Sequence, residues 1–315
     1  YHLANSLFIK KNNILDFSLT NNSVHTNCLI CNSAELKALK KFSKAALIQC
    51  KQCSFIFCKN RPSDQHLQNY YGDSYERTKY FSPITRTRYN ELLDAFEEHR
   101  SSNKILDIGC GYGFFLEVAK ERGWEVYGTE LSDEAIAVCQ TKGIKTFKGK
   151  IIDNSYSDED FDVITSFEMI EHINYPIEYT EQIKRLLKPG GRAYVTTPNF
   201  NAVLRYRLKE AYNIIGYPNH LTYFTKNTLQ SLFEQHGFET LKIQTTGYSV
   251  TRKKTSQGKS NQDYVSETSD DEMLRYKIEN SVLLKAGKHT ANWALNKLKI
   301  GDSIKATFIK SNSKK

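Results

Sequence analysis

Three groups of side chains in this 315-residue chain are spaced so that they could do chemistry. Cys28-Leu-Ile-Cys31 and Cys50-Lys-Gln-Cys53 are two C-x2-C pairs with 18 residues between them. Each close pair can supply one edge of a sulfur tetrahedron, the geometry Zn²⁺ takes in structural sites. Four thiolates close the shell and leave no position for water or substrate, so a catalytic ion is not expected there. The second group is Asp107-Ile-Gly-Cys-Gly-Tyr-Gly113, whose three glycines let a ligand approach the backbone without side chains in the way. Glu130 stands at the end of the next apolar stretch, where its carboxylate can accept two hydroxyl hydrogen bonds. The third group is Glu168-Met-Ile-Glu171-His172 with the distant His220. Histidine has the only unperturbed pKa suited to proton exchange near neutrality, so His172 and His220 are candidate bases, with Glu171 beside the first. Either imidazole could equally be a structural hydrogen-bonder.

Regular elements must hold these groups in place. Ile105 to Ile108 reads as a short buried strand, and residues 112 to 122 carry a helical pattern. A strand, a glycine turn and a helix N-terminus together suit a nucleotide-like cofactor. The dinucleotide fingerprint would need a glycine where Phe114 stands; the spacing is G-x-G-x-G instead. Further strands are expected at Glu125–Glu130, Lys145–Lys148, Phe161–Phe167, Arg192–Pro198, Phe238–Thr245 and Gly301–Lys310. Helices are expected after a Ser132 N-cap, over Pro176–Leu187 up to the Lys188-Pro-Gly-Gly191 stop, and from Asn227. Strands alternating with helices imply a parallel sheet covered on both faces, with reactive groups outside the strands' carboxyl ends. Arg252 to Asp271 is polar and reads as a loop or disordered insertion, before helical character returns over Met273–Leu298.

Composition excludes little else. Hydrophobic residues at 39% and charged residues at 25% fit a soluble globular protein, and the 19 tyrosines favour a ring-lined pocket. No stretch approaches 18 uncharged apolar residues, so no membrane span is expected. Tyr1 to Asn13 lacks the long apolar core of a signal peptide and does not read as a transit peptide. The net charge of +9 sits at the ends: residues 1–60 carry +6, 61–250 carry −4 and 251–315 carry +7. Such ends could attract nucleic acid, phosphorylated substrates or anionic lipid, or be plain solvated lysine-rich faces. Cys58, Cys110 and Cys139 read as small hydrophobes, and seven clustered cysteines point to a reducing cytoplasm instead of a disulfide framework.

The order of these landmarks resembles the class I S-adenosylmethionine-dependent methyltransferases. The matching residues are the Asp107–Gly113 loop, Glu130, Glu168–Ile173, the Leu187-Lys-Pro-Gly-Gly191 turn and the closing strand. The cysteine pairs, the tyrosine-rich lead-in Gln68–Tyr75 and His220-Leu-Thr-Tyr-Phe-Thr225 are similar to a bacterial subgroup with an N-terminal four-cysteine zinc knuckle. The resemblance implies a Rossmann-like α/β fold: a seven-stranded sheet with an N-terminal zinc-binding module and an acceptor-side insertion. It implies a zinc region over 1–62, a helical lead-in over 63–100 and a methyltransferase domain over 101–315, with insertions about 200–225 and 250–300. S-adenosyl-L-methionine would be held by Asp107, Gly109, Cys110, Gly111, Gly113, Glu130, Leu131, Phe167, Glu168 and Tyr80. Gly149–Asp153 would pass its adenine edge, Asn199 would stand beside its cleft, and Arg86 or Arg88 could pair with its carboxylate. Tyr70, Tyr71, Tyr75 and Tyr80 would line the pocket or pack half-buried; Tyr223 and Phe224 would be pocket or core. The implied reaction is in-line attack of an acceptor on the sulfonium methyl, with structural Zn²⁺ and no catalytic metal. Its expected form is O-methylation of a small molecule such as a sugar or glycolipid precursor. RNA or protein methylation, with nucleic acid held by the basic ends, is the less favoured alternative, because no Asn/Asp-Pro-Pro-Tyr/Phe motif is present. A cofactor-binding protein without turnover is the third.

Overall fold

The computed structural model describes residues 23–63, 65–67, 70, 80–258 and 266–311; Tyr1–Asn13, Tyr71 and Tyr75 lie outside them. Five short strands open the chain: β1 (Ser23–Val24), β2 (Leu36–Ala38), β3 (Leu47–Cys50), β4 (Ile56–Cys58) and β5 (Asn60–Arg61). The central sheet comprises β6 (Lys104–Ile108), β7 (Glu125–Glu130), β8 (Lys145–Lys148), β9 (Phe161–Phe167) and β10 (Leu187–Pro198), with β12 (Phe238–Thr246) and β13 (Ser303–Lys310). A two-residue strand, β11 (Thr222–Tyr223), lies elsewhere. Helices α1 (Pro83–Asp94), α2 (Phe114–Glu121), α3 (Asp133–Thr141), α4 (Pro176–Leu186) and α5 (Val203–Leu208) are followed by α6 (Lys226–Gln235), α7 (Val250–Ser256), α8 (Asp270–Glu279) and α9 (Val282–Lys297). Among the described residues no helix is long and apolar enough to cross a membrane.

The seven strands lie in the order β12-β13-β10-β9-β6-β7-β8. β6 is an interior strand, and Ile105, Leu106 and Ile108 bury on both its faces, as a strand in a doubly covered parallel sheet must. It pairs in parallel with β7 on one side and β9 on the other. That reversal of strand order opens a crevice at the carboxyl ends, where the glycine loop begins. β13 enters antiparallel between β10 and β12; its alternation buries Ile304, Ala306 and Phe308 on one face. Ser132 caps α3 as expected, its Oγ accepting from the Ala135 N–H, and Thr225 and Thr228 form a reciprocal capping box that starts α6.

Two expectations need correction. The fifth strand begins at Leu187 and not at Arg192: Lys188-Pro-Gly-Gly191 is a strand irregularity instead of a helix-stopping loop, with the register shifting between Leu187 and Arg192. The stretch from Arg252 is not a loop throughout, since Arg252–Ser256 lies in α7 and Asp270 opens α8. Both helices have serine N-caps, Ser249 and Ser269, that satisfy first-turn N–H groups.

The cysteine-bearing strands are tied to the rest by one long-range pairing. β11 adds antiparallel to β4, Thr222 opposite Phe57 and Tyr223 opposite Ile56, completing a four-stranded sheet in the order β11-β4-β3-β2. Phe55 and Phe57 are fully buried, and Phe55 packs against Phe224 at 5.0 Å between ring centroids. Tyr223 and Phe224 are therefore core residues, 4% and 0% exposed. Burying each phenylalanine is worth about 1.5–3 kcal/mol, so this seam holds the N-terminal strands firmly.

Candidate active site

The glycine loop is shaped by its glycines. Gly109, Gly111 and Gly113 have φ of 70°, 56° and 70°, the left-handed region that side chains disfavour. A Cβ on Gly113 would stand 2.5 Å from Ile144 Cδ1 and 3.0 Å from Cys139 Sγ, so nothing larger fits between α2 and its neighbours. The loop is fastened to β7: the Gly109 and Cys110 N–H groups both donate to the Thr129 carbonyl, at 2.9 and 3.1 Å. Glu130, 4% exposed, then spans the crevice. One carboxylate oxygen accepts from the Gly111 N–H at 2.9 Å; the other accepts from the N–H groups of Leu131 and Ser132 at 2.8 and 3.0 Å.

Asp107 lies beneath the loop, 3% exposed, and accepts from Thr165 Oγ1 at 2.8 Å. Burial, reinforced by the nearby Glu130 charge, pushes its carboxyl up to about 8 despite the Thr165 hydrogen bond. Cys110 is buried behind the loop, its Sγ 3.9 Å from Cys139 Sγ. Phe167 turns its ring into the core, against Tyr89, Phe115 and Tyr194 at 5.0–5.7 Å between centroids. Tyr80 is half-buried, with its hydroxyl 3.4 Å from Glu272 Oε1. Arg86 pairs with Glu121, and Arg88 with Glu91 and Glu279. Asn199 lines the cavity shared by Glu171 and His220, and its amide donates to the carbonyls of Lys299 and Gly301 at 3.1 and 2.7 Å.

Beyond β9 the backbone turns through Glu168 at φ 50°, with the Glu168 N–H donating to the Thr196 carbonyl at 3.0 Å. The single turn Ile170–His172 follows, and the chain before β11 docks onto it. Leu221 N–H donates to the Glu171 carbonyl and Thr222 Oγ1 to the Ile170 carbonyl, both at 2.8 Å. These contacts bring His220 against His172, with ring centroids 4.8 Å apart. His172 Nδ1 lies 2.6 Å from the Asn219 carbonyl and His220 Nδ1 lies 2.7 Å from the Ile214 carbonyl. A carbonyl only accepts, so both Nδ1 atoms carry hydrogen, and in the neutral form of either ring the lone pair is on Nε2. His172 Nε2 is 3.9 Å from Glu171 Oε1, while Glu171 Oε2 accepts from Thr197 Oγ1 at 2.9 Å. Burial, then the charge of Glu168, holds the Glu171 carboxyl well above its usual range. Burial, then His172, holds His220 well below 6.5. The cavity beside Glu171, His220, Tyr212 and Phe200 measures about 10 Å³, room for about one water.

Sequence reasoning named Glu168, Glu171, His172 and His220 separately; the structure brings the last three together and adds what faces them. Arg252 is 5% exposed on α7, and its charge acts on Glu168, Tyr212 and Asp302. Burial opposes that charge, yet Tyr212, Glu168 and Asp302 together hold its pKa above the usual value. Asp302 fixes the helix in turn, its Oδ2 accepting from the Ser249 N–H at 2.6 Å. Lys305 on β13 also lies near Glu168; burial, then Arg88, pushes its ammonium down to about 7. An isolated arginine in a polar run gives no local sign that it buries.

In the N-terminal strands, Cys28 Sγ lies 3.4 Å from Cys53 Sγ and Cys31 Sγ lies 3.5 Å from Cys50 Sγ. All four sulfurs lie within 4.8 Å of one another. With Zn–S bonds of about 2.3 Å, tetrahedral ligands sit a little under 4 Å apart, so the donor set fits Zn²⁺. The Cys53 N–H points at Cys50 Sγ at 3.5 Å, a contact that stabilises thiolate.

Comparison with known proteins gives this crevice a lineage. Residues 78–243 match the family model described as a methyltransferase domain. The ubiquinone biosynthesis O-methyltransferase of Idiomarina loihiensis is 34% identical over 107 residues, 31% of this chain and 43% of that protein. Its Pseudomonas putida counterpart is 31% identical over 137 residues, 40% of this chain and 58% of that protein. The matches thus span about half the length of these curated relatives. A crystal structure of an S-adenosylmethionine-dependent methyltransferase from Archaeoglobus fulgidus superposes with a TM-score of 0.50 at 21% identity, over 72% of this chain and 93% of that one, a likeness of fold. The family match takes in the glycine loop, Glu130 and the Glu168–His172 turn, and this chain belongs to the methyltransferase-domain family.

Proposed function

We propose that the protein transfers a methyl group from S-adenosyl-L-methionine to a hydroxyl oxygen of a small molecule, such as a sugar or glycolipid precursor. The observation that carries this reading is the convergence of Gly111 and Glu130 at the sheet's switch point. Backbone there is bare of side chains, and a buried carboxylate with two oxygens stands ready for a pair of ribose hydroxyls. The loop from Gly109 to Gly113 would cradle the amino-acid portion and Glu130 the ribose. When bound, the cofactor supplies an electrophilic sulfonium methyl, so the chain's own work is to position, align and exclude water.

Proton removal falls to the Glu171–His172 pair. The Asn219 carbonyl fixes the His172 tautomer, leaving Nε2 to accept a hydroxyl proton. His220, buried and held by the Ile214 carbonyl with its ring 4.8 Å from that of His172, supports His172 in this scheme. The curated relatives' names, as O-methyltransferases, support oxygen as the atom methylated. Cys28, Cys31, Cys50 and Cys53 would hold a structural Zn²⁺ that stiffens β3 and β4, and through β11 the segment carrying His220. Incubation with the cofactor and a panel of hydroxylated sugars, glycolipids and phenols tests the reading by mass spectrometry. Methyl ether formation on at least one class is expected; methylation confined to RNA or protein would overturn it.

A further inference from the structure

Helix α9 is built inside out. It lies on β12 through its amides: Asn296 Oδ1 accepts from the Thr245 N–H at 3.0 Å and Asn292 Oδ1 from the Gly247 N–H at 2.9 Å. At 3.6 residues per turn, Val282, Ala286, Thr290, Trp293 and Lys297 share one stripe, roughly a quarter-turn around the helix from those amides, with Leu283 on its flank. Val282 and Leu283 are each 84% exposed and Trp293 is 64% exposed. An ordinary surface helix turns such residues inward. The neighbouring α8 extends the apolar surface with Met273 and Tyr276, both exposed.

Charge says what covers this face. Val282 to Lys299 contains four lysines, one histidine and no carboxylate; Glu279 of α8 pairs with Lys288 at 2.6 Å and Lys285 at 3.6 Å, which leaves Lys297 and Lys299 outside that pairing. Lys297 Nζ sits 5.2 Å from the Trp293 ring, at the edge of the apolar stripe. A second copy of the chain would press two such acid-free helices together against their own repulsion. We propose that α9 docks on an anionic lipid surface, lying in the interface plane with Val282, Leu283 and Trp293 in the acyl boundary and the lysines not held by Glu279, Lys297 and Lys299, toward headgroup phosphates. At 16 residues it lies on a bilayer and does not span one. Its end leads straight to the insertion before β11: the Val203 N–H donates to the Ile300 carbonyl and the Asn199 N–H to the Asp302 carbonyl. The inference is independent of the methyl-transfer reading.

Trp124 is 3% exposed, so a change in tryptophan emission on binding reports Trp293. The full chain is mixed with vesicles of phosphatidylcholine alone and of phosphatidylcholine with phosphatidylglycerol, then sedimented. Expected are partitioning roughly tenfold or more stronger to the anionic vesicles, a blue shift of emission, and weakening by salt. Val282→Glu with Leu283→Glu should lower partitioning by about tenfold or more with thermal unfolding unchanged, because both side chains are exposed in the free protein. Equal partitioning of wild type and variant, or none at low salt, overturns the proposal. So does a lipid-free, concentration-dependent shift accompanied by dimer formation, or a shift induced by polyglutamate but not by vesicles.

Discussion

The carboxylate of Glu130 holds the backbone N–H of Gly111 at 2.9 Å, locking the last residue of β7 to the middle glycine of the loop after β6. The same carboxylate satisfies two further N–H groups, at Leu131 and Ser132. Glu130→Ala would leave three donors without their acceptor, the Ser132 N–H buried and those of Gly111 and Leu131 partly so, at a cost of up to about 1–3 kcal/mol for the buried one and less for the others. It should lower both stability, measured in urea, and cofactor affinity, the latter at least about tenfold, since the loss of a charged hydrogen-bond acceptor is worth about 1.5–3 kcal/mol. Unchanged affinity would refute the assignment of Glu130 to the ribose.

Asp107 makes stability depend on pH in a direction opposite to that of a paired carboxylate. Its folded-state value of about 8 lies above the ordinary 3.8. Between those values the folded chain keeps a proton that the unfolded chain has released, so stability falls as pH rises through the window. Asp107→Asn removes this dependence. Relative to wild type, the variant should gain stability between about pH 4 and pH 8 in denaturant titrations. A difference that does not vary with pH would contradict the protonated assignment.

His172 and His220 should separate by what their loss affects. His172→Ala is expected to lower kcat by about 10²–10⁴ with little effect on cofactor affinity. His220→Ala should mainly lower stability, as it removes a buried hydrogen bond to Ile214. His220 is also held well below 6.5, so the unfolded chain takes up a proton first as pH falls below about 6.5. Stability therefore drops on acidification, and His220→Asn should flatten that drop. If His220→Ala instead costs the larger factor in kcat, the roles are reversed.

The four-cysteine site predicts about one zinc per chain by elemental analysis. Cys28 and Cys50 share the main core with Phe55, Phe57 and Phe224, so removal of the metal should lower the thermal midpoint of the whole protein. Metal-free preparations with full stability would exclude a structural ion.

Much of this was legible in the sequence where short-range rules decide. Glu125–Glu130, Lys145–Lys148 and Phe161–Phe167 fall on the expected residues because short stretches of β-branched and aromatic residues bounded by glycine or polar turns read locally. The pairing of Thr222–Tyr223 with Ile56–Phe57 was not legible, since the partners lie more than 160 residues apart and register carries no local mark. Arg252 escaped for a different reason. Its run of polar and cationic residues reads as solvated, and only Glu168, Tyr212 and Asp302, all distant in sequence, make burial of its charge tolerable. The partners of Asn199 were not legible either: two carbonyls ahead of β13, about 100 residues on, take its amide.

Titration of the purified chain with S-adenosylmethionine in a calorimeter, beside Gly111→Val, tests the central claim most directly. The account predicts one site per chain in the wild type and none in the variant, whose side chain fills the space the amino-acid portion needs at a residue with φ of 56°. A wild type that binds no S-adenosylmethionine, or a Gly111→Val variant that binds it equally well, would contradict the account.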